Sequence, residues 1–260
     1  MRQRLALIAA LGIALPSCHA CRRGMERRET LAQVSTIDAL LAGDYDGKRP
    51  CHDLLRFGGF GIGTFHGLDG EMIVLDGTFY KVDITGKVHV MPKETKTPFA
   101  CVTSFEPDVA IPVPAGLDFD GLCKRIDAKA GGKNLFLAVR VEGTFHYVQT
   151  RSVPRQTKPY PPLADVVKQQ KTFEFRDVRG TIVGFRCPVY VKGVNVPGYH
   201  LHFLTDDRRG GGHILGLTVG EAVATVDVTP NFYLMLPTAG AFAQLDLTKD
   251  REKELHNVEK

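Results

Sequence analysis

Between residues 58 and 105 apolar and polar side chains alternate in short runs, each closed by a glycine-containing turn. Phe60-Gly-Ile-Gly-Thr-Phe65 leads through Gly67-Leu-Asp-Gly70 into Glu71-Met-Ile-Val-Leu75. Asp76-Gly77 then opens a run over 78–84, and Thr85-Gly86 a run over 87–90. Alternation broken by aspartate-glycine pairs predicts a meander of hairpins, with a further strand over 99–105. Ser35-Thr-Ile-Asp-Ala-Leu-Leu41 offers an N-cap followed by Ile37, Leu40 and Leu41 at helical spacing, which predicts a short helix. Phe119, Leu122 and Ile126 form one stripe, read as the end of a second helix. Residues 135–153 read as a long strand pair and 163–170 as a short helix. Strands are predicted over 173–185, 199–205, 214–218, 222–228 and 232–236, and a helix in the charged tail 249–260. The predicted class is α+β, a strand-rich two-domain fold with mixed β-sheets and a few short helices. The proline-rich stretch 154–162 divides it into domains 35–153 and 154–260.

Composition narrows the picture. The chain has 260 residues with 43% hydrophobic and 24% charged, which excludes disorder and collagen-like or coiled-coil repeats. Its 27 glycines and 15 prolines suit many turns. Net charge is +4 and scattered, so no nucleic-acid partner is expected. At the N-terminus Arg2 and Arg4 precede an apolar run over 5–15. That run is well short of the roughly twenty residues that cross a bilayer. It predicts an export signal over 1–17. Leu15-Pro16-Ser17-Cys18 also resembles a bacterial lipobox, so lipidation at Cys18 stands beside ordinary cleavage. The expected location is periplasmic or extracellular, with a lipid on Cys18 as the sole membrane contact; an unprocessed segment would leave the chain cytoplasmic. Residues 18–34 read as a basic tether. Of six cysteines, those at 51, 101, 123 and 187 sit in apolar surroundings and read as buried core thiols.

The sharpest chemistry lies in Gly198-Tyr-His-Leu-His-Phe-Leu-Thr205 and the following Asp206-Asp-Arg-Arg-Gly-Gly-Gly-His213. On a strand His200 and His202 share a face, about 7 Å apart along the backbone. The glycine-rich turn lets the chain reverse and bring His213 beside them. Three converging imidazoles make a site for a divalent metal with positions left for water or substrate. Asp206 and Asp207 are placed to orient those ligands from behind. His19, His52, His66, His89, His146 and His256 lack such company and read as structural or surface residues.

Four segments together resemble the bacterial alpha-acetolactate decarboxylase family. They are Gly63-Thr-Phe-His-Gly-Leu-Asp-Gly-Glu-Met-Ile-Val-Leu-Asp-Gly77, Gly143-Thr-Phe-His-Tyr-Val-Gln-Thr-Arg-Ser-Val-Pro154, the histidine segment with Gly211-Gly-His213, and Glu254-Leu-His-Asn-Val-Glu259. The resemblance covers nearly everything from Ser35 onward. It implies zinc on His200, His202 and His213, with other divalent transition metals also accommodated by imidazole. It implies active-site roles for Glu71, Glu259 and Arg151, with Thr64 as a hydroxyl neighbour to substrate or Glu71. It further implies two mixed-sheet domains, a homodimer, and conversion of 2-acetolactate to acetoin and carbon dioxide through a metal-stabilised enediolate, on the route to acetoin and butanediol. If Glu259 acts, the tail must fold back into the site.

Two other readings compete. A cupin-like metal oxygenase also uses a His-x-His strand, but normally adds a glutamate a few residues later, and none lies between His202 and His213. An exported metal-binding lipoprotein would hold the ion without needing Arg151.

Overall fold

Short, wholly buried strands at the centre of one sheet and long strands in another build two large sheets in the computed structural model, which describes residues 28–259. The export signal over 1–17 and Cys18 lie outside the described residues. In chain order the first strands are β1 (Thr30–Val34), β2 (Arg49–Pro50), β3 (Phe60–Thr64), β4 (Glu71–Leu75) and β5 (Thr78–Val82). They are followed by β6 (Val88–Val90), β7 (Lys96–Thr97), β8 (Ala100–Thr103) and β9 (Val109–Val113). The remainder are β10 (Phe136–Ser152), β11 (Lys171–Cys187), β12 (Gly198–Thr205), β13 (Gly211–Thr229) and β14 (Asn231–Met235). Among the described residues four α-helices join them: α1 (Ile37–Leu41), α2 (Phe119–Ala130), α3 (Leu163–Val167) and α4 (Glu252–Val258).

The first sheet has the order β14-β1-β8-β3-β4-β5-β6 and is mixed, because β1 and β14 run parallel. The second has the order β10-β11-β12-β13-β9, and β13 pairs with β10 as well, so the sheet closes on itself. The sheets do not part at the proline-rich stretch: β9 and β10 belong to the second, while β14 returns to the first.

The predicted meander appears as β3 to β6 and β8. Several readings are corrected. Residues 30–34, assigned to the basic tether, form β1, a fully buried strand between β14 and β8; the charged stretch ends before Thr30, and Leu31, Ala32 and Val34 are core. The expected N-cap ahead of Ile37 is supplied by Thr36, whose Oγ1 accepts from Ala39 N at 3.2 Å, while Ser35 takes a left-handed φ of 61°. The stripe at 119–126 starts a helix rather than ending one, because Asp118 caps it through Gly121 N at 2.8 Å. Residues 135–153 are not a pair but lie largely within the single strand β10, and likewise 214–218 and 222–228 lie within β13. Gly143 makes the β10 continuity possible. A Cβ there would sit 2.1 Å from the Glu221 carbonyl, and the register slips just beyond it. Strand β9 escaped prediction because Pro112 interrupts its run; proline is tolerated at this sheet edge, where no outer neighbour needs its N–H.

Side-chain parity sets the layers. On β3 and β4, Phe60, Ile62, Ile73 and Leu75 enter a core shared with Ala138, Val183, Phe185 and Leu204 of the second sheet. Met72 and Val74 point to the opposite face, into a core of their own. On β12, Leu201 and Phe203 enter the second sheet's separate interior with α2. Residues 200, 202 and 204 therefore face the first sheet. Cys51, Cys101, Cys123 and Cys187 are buried free thiols, as their surroundings suggest. No helix among the described residues is long and apolar enough to cross a membrane.

Gln33 on β1 is fully buried and tied on both ends. Its Nε2 donates to Ser35 O at 2.7 Å and Val194 O at 2.6 Å, and its Oε1 accepts from Asn195 Nδ2 at 2.6 Å. This network fastens β1 to the segment that leads into the histidine strand. Gln33→Leu removes the oxygen acceptor of the Asn195 amide and the side-chain donor to the Ser35 carbonyl, so unfolding free energy is expected to fall by about 2 kcal/mol, read from urea denaturation.

Candidate metal centre

Strand β12 presents His200 and His202 on one face, and β13 places His213 directly opposite His202. The nitrogen donors of all three lie within 4.8 Å of one another, and His200 Nε2 is 3.3 Å from His202 Nε2. His202 Nδ1 is 2.9 Å from the Met72 carbonyl, which can only accept. That bond fixes the proton on Nδ1 and turns the Nε2 lone pair toward the other two rings. The expected orienting role of Asp206 and Asp207 is not met. Asp206 faces Arg179, and Asp207 accepts from Thr205 Oγ1 at 2.6 Å to close the turn. One carboxylate is engaged by an arginine and the other by the turn, and a backbone carbonyl of the other sheet orients the ligand instead.

Burial keeps the imidazoles neutral. It lowers His200 to about 3, with the Arg151 charge adding to the effect. It lowers His202 and His213 well below the usual range, helped by Arg151 and, for both, by His200. Each ring is thus neutral at neutral pH and keeps one nitrogen lone pair available to a cation.

Two carboxylates complete the cluster. Glu71 Oε2, on β4, lies 3.7 Å from His202 Nε2. Glu259 Oε2 lies 3.7 Å from His200 Nε2 and 3.9 Å from His213 Nε2. The tail does fold back: α4 buries Leu255 and Val258, and Lys192 holds its start through Asp250 and Glu252. Burial raises both carboxyls to about 7 against the pull of Arg151; Glu259 also raises Glu71. Glu259 Oε2 is buried with no hydrogen-bond partner. Three neutral nitrogens and an unsatisfied carboxylate oxygen converging on one point are a donor set that fits a divalent cation.

Arg151, on β10, lies opposite His213 and is buried. The hydroxyls on either side of it fix the strand. Thr150 Oγ1 donates to Gly211 O at 2.7 Å, next to the histidine turn, and Ser152 Oγ donates to Val82 O at 2.8 Å, opposite Glu71. Thr64 pairs with Glu71 across β3 and β4, but its hydroxyl donates to Gly70 O at 2.8 Å rather than to the carboxylate. It faces the cavity able to accept.

All seven residues singled out from the sequence line this one cavity. Its apolar wall, including Leu68, Phe99, Val153, Leu163 and Val258, was not singled out. Val153 and Val258 carried a signal, being respectively two positions from Arg151 and adjacent to Glu259. His52, His66, His89, His146 and His256 stay outside the cluster, and His19 lies outside the described residues.

Comparison with known proteins points the same way. The family model for alpha-acetolactate decarboxylase matches residues 31–249, ending before α4. The chain is 50% identical over 232 residues to the alpha-acetolactate decarboxylase of Methanosarcina mazei, covering 89% of this chain and 81% of that protein. With the Bacillus subtilis (strain 168) protein of the same name it is 40% identical, covering 87% of this chain and 89% of that one. The X-ray structure of alpha-acetolactate decarboxylase from Bacillus subtilis strain 168 matches with a TM-score of 0.86 at 38% identity, covering 88% of this chain and 99% of that one.

The step into His213 depends on Gly212, whose φ is 129° and whose added Cβ would meet the Arg151 carbonyl at 2.4 Å. Gly212→Ala is expected to cost at least about 2 kcal/mol of stability, seen as a lowered thermal midpoint.

Proposed function

This chain belongs to the alpha-acetolactate decarboxylase family and is an acetolactate decarboxylase, and we propose that it works with a divalent cation, zinc in the first place, held by His200, His202 and His213. The reading is carried by one observation: three neutral imidazoles, two carboxyls raised to about 7 and a buried guanidinium share a single cavity. When bound, such an ion supplies Lewis acidity toward the hydroxyl and ketone oxygens of the substrate, worth several kcal/mol in the transition state.

Loss of carbon dioxide from 2-acetolactate leaves an electron pair that spreads onto the neighbouring ketone as an enediolate. Negative charge moves from the carboxylate toward the ketone oxygen, and the protein must receive it at both places. Arg151 binds the carboxylate, for which its planar guanidinium offers two parallel N–H donors. The neutrality of the three imidazoles leaves the charge of the cation uncompensated by its nitrogen ligands. Glu71 and Glu259, raised to about 7, are each available in protonated and ionised forms near neutral pH. The ionised one can take the proton of the substrate hydroxyl and return it to that oxygen in the product, while the protonated one delivers a proton to carbon, which requires groups poised near the working pH. Delivery from one side gives a single acetoin enantiomer. The Thr64 oxygen accepts from the substrate, its own proton being engaged by Gly70. Leu68, Phe99, Val153, Leu163 and Val258 take the methyl groups and exclude water.

Export, with or without a lipid on Cys18, is part of the proposal and is supported by Arg2 and Arg4 ahead of the apolar run over 5–15. A homodimer is supported by the family resemblance.

The test is acetoin formation from 2-acetolactate by the purified full chain, before and after a chelator and again after zinc is restored. Chelation is expected to cut turnover at least about a hundredfold, and zinc to restore it. Undiminished acetoin formation by metal-free protein would remove the cation from the reading.

A further inference from the structure

Arg151 carries a buried charge, yet it forms no salt bridge among the described residues. Its single side-chain hydrogen bond runs from Nη1 to Gln170 Oε1 at 3.1 Å, and its Nε has no partner. Buried guanidinium groups are normally paired with a carboxylate. Here the partner is an amide.

Gln170 is itself well fixed. Its N–H donates to Val167 O at 3.0 Å, closing the turn after α3, and the next residue, Lys171, pairs with Ser152. The side chain therefore starts one residue before β11 and reaches back to Arg151. The same short helix sends Leu163 into the cavity wall.

We infer that Gln170 is a positioning residue for the reaction: it aims the Arg151 guanidinium through one neutral acceptor while leaving its positive charge free for the carboxylate of the substrate. The inference rests on the reading of Arg151 given above. A carboxylate at position 170 would reach the same nitrogen and neutralise it, so the arriving substrate would have to compete for the guanidinium. An apolar side chain of equal length would keep the packing and lose the aim.

The experiment compares Gln170→Glu and Gln170→Met in the metal-loaded full chain, measuring KM and kcat for 2-acetolactate and inhibition by acetoin, which has no carboxylate. Gln170→Glu is expected to raise KM at least about tenfold with kcat changed by less than about threefold, and Gln170→Met to raise KM less, in the same direction. Acetoin inhibition should stay at the wild-type level in both. Equal weakening of acetoin and acetolactate would show a merely structural role and overturn the proposal, as would an unchanged KM in both variants. Should Gln170→Glu fail to fold, Gln170→Met decides by the same split. An Arg151→Ala control is expected to raise KM at least as far as Gln170→Glu. If it does not, the carboxylate-binding role of Arg151 falls, and the inference with it.

Discussion

Packing three neutral imidazoles around one buried point is the constraint on which the rest of the structure depends. Burial removes the water that would otherwise solvate their lone pairs and lowers their proton affinity far below neutral. Beside them Glu259 presents a buried oxygen with no donor. Unsatisfied acceptors packed together are costly in an apolar interior. A divalent cation of the kind proposed above would satisfy them at once.

The two-sheet architecture delivers this arrangement by side-chain parity. Positions facing the other sheet are apolar through most of the interface, as with Ile73, Leu75, Val183 and Leu204. At one end the same parity carries Glu71, His200 and His202 instead. The Met72 carbonyl then spans from the first sheet to His202, and Ser152 spans from the second sheet to Val82. The cavity is thus the polar end of an apolar interface, and sliding either sheet would dismantle ligand orientation and Arg151 placement together. The tail adds the last wall from a third direction.

Much of this was legible in the residues because it is local. Alternation and aspartate-glycine turns exposed the hairpins, and i, i+2 spacing with a glycine turn exposed the three histidines. What stayed hidden depends on distant partners. The basic segment up to Arg28 masked β1, whose burial comes from β8 and β14 far along the chain. The need for Gly143 also comes from a distant partner, the closely approaching Glu221 carbonyl. Asp206 and Asp207 were near the histidines in sequence, yet the ligand-orienting group is a main-chain carbonyl, which no side-chain pattern reports. Gln170 carried no motif at all; its meaning appears only once Arg151 is seen to lack a carboxylate partner.

The central claim is that His200, His202 and His213 hold one divalent ion. It is tested most directly by the metal content of the purified chain and of His200→Ala, His202→Ala and His213→Ala variants after dialysis against trace zinc. The account predicts about one ion per wild-type chain and a large loss in each variant that remains folded by circular dichroism. A folded wild-type chain that retains no divalent ion, or variants that keep the full complement, would contradict it.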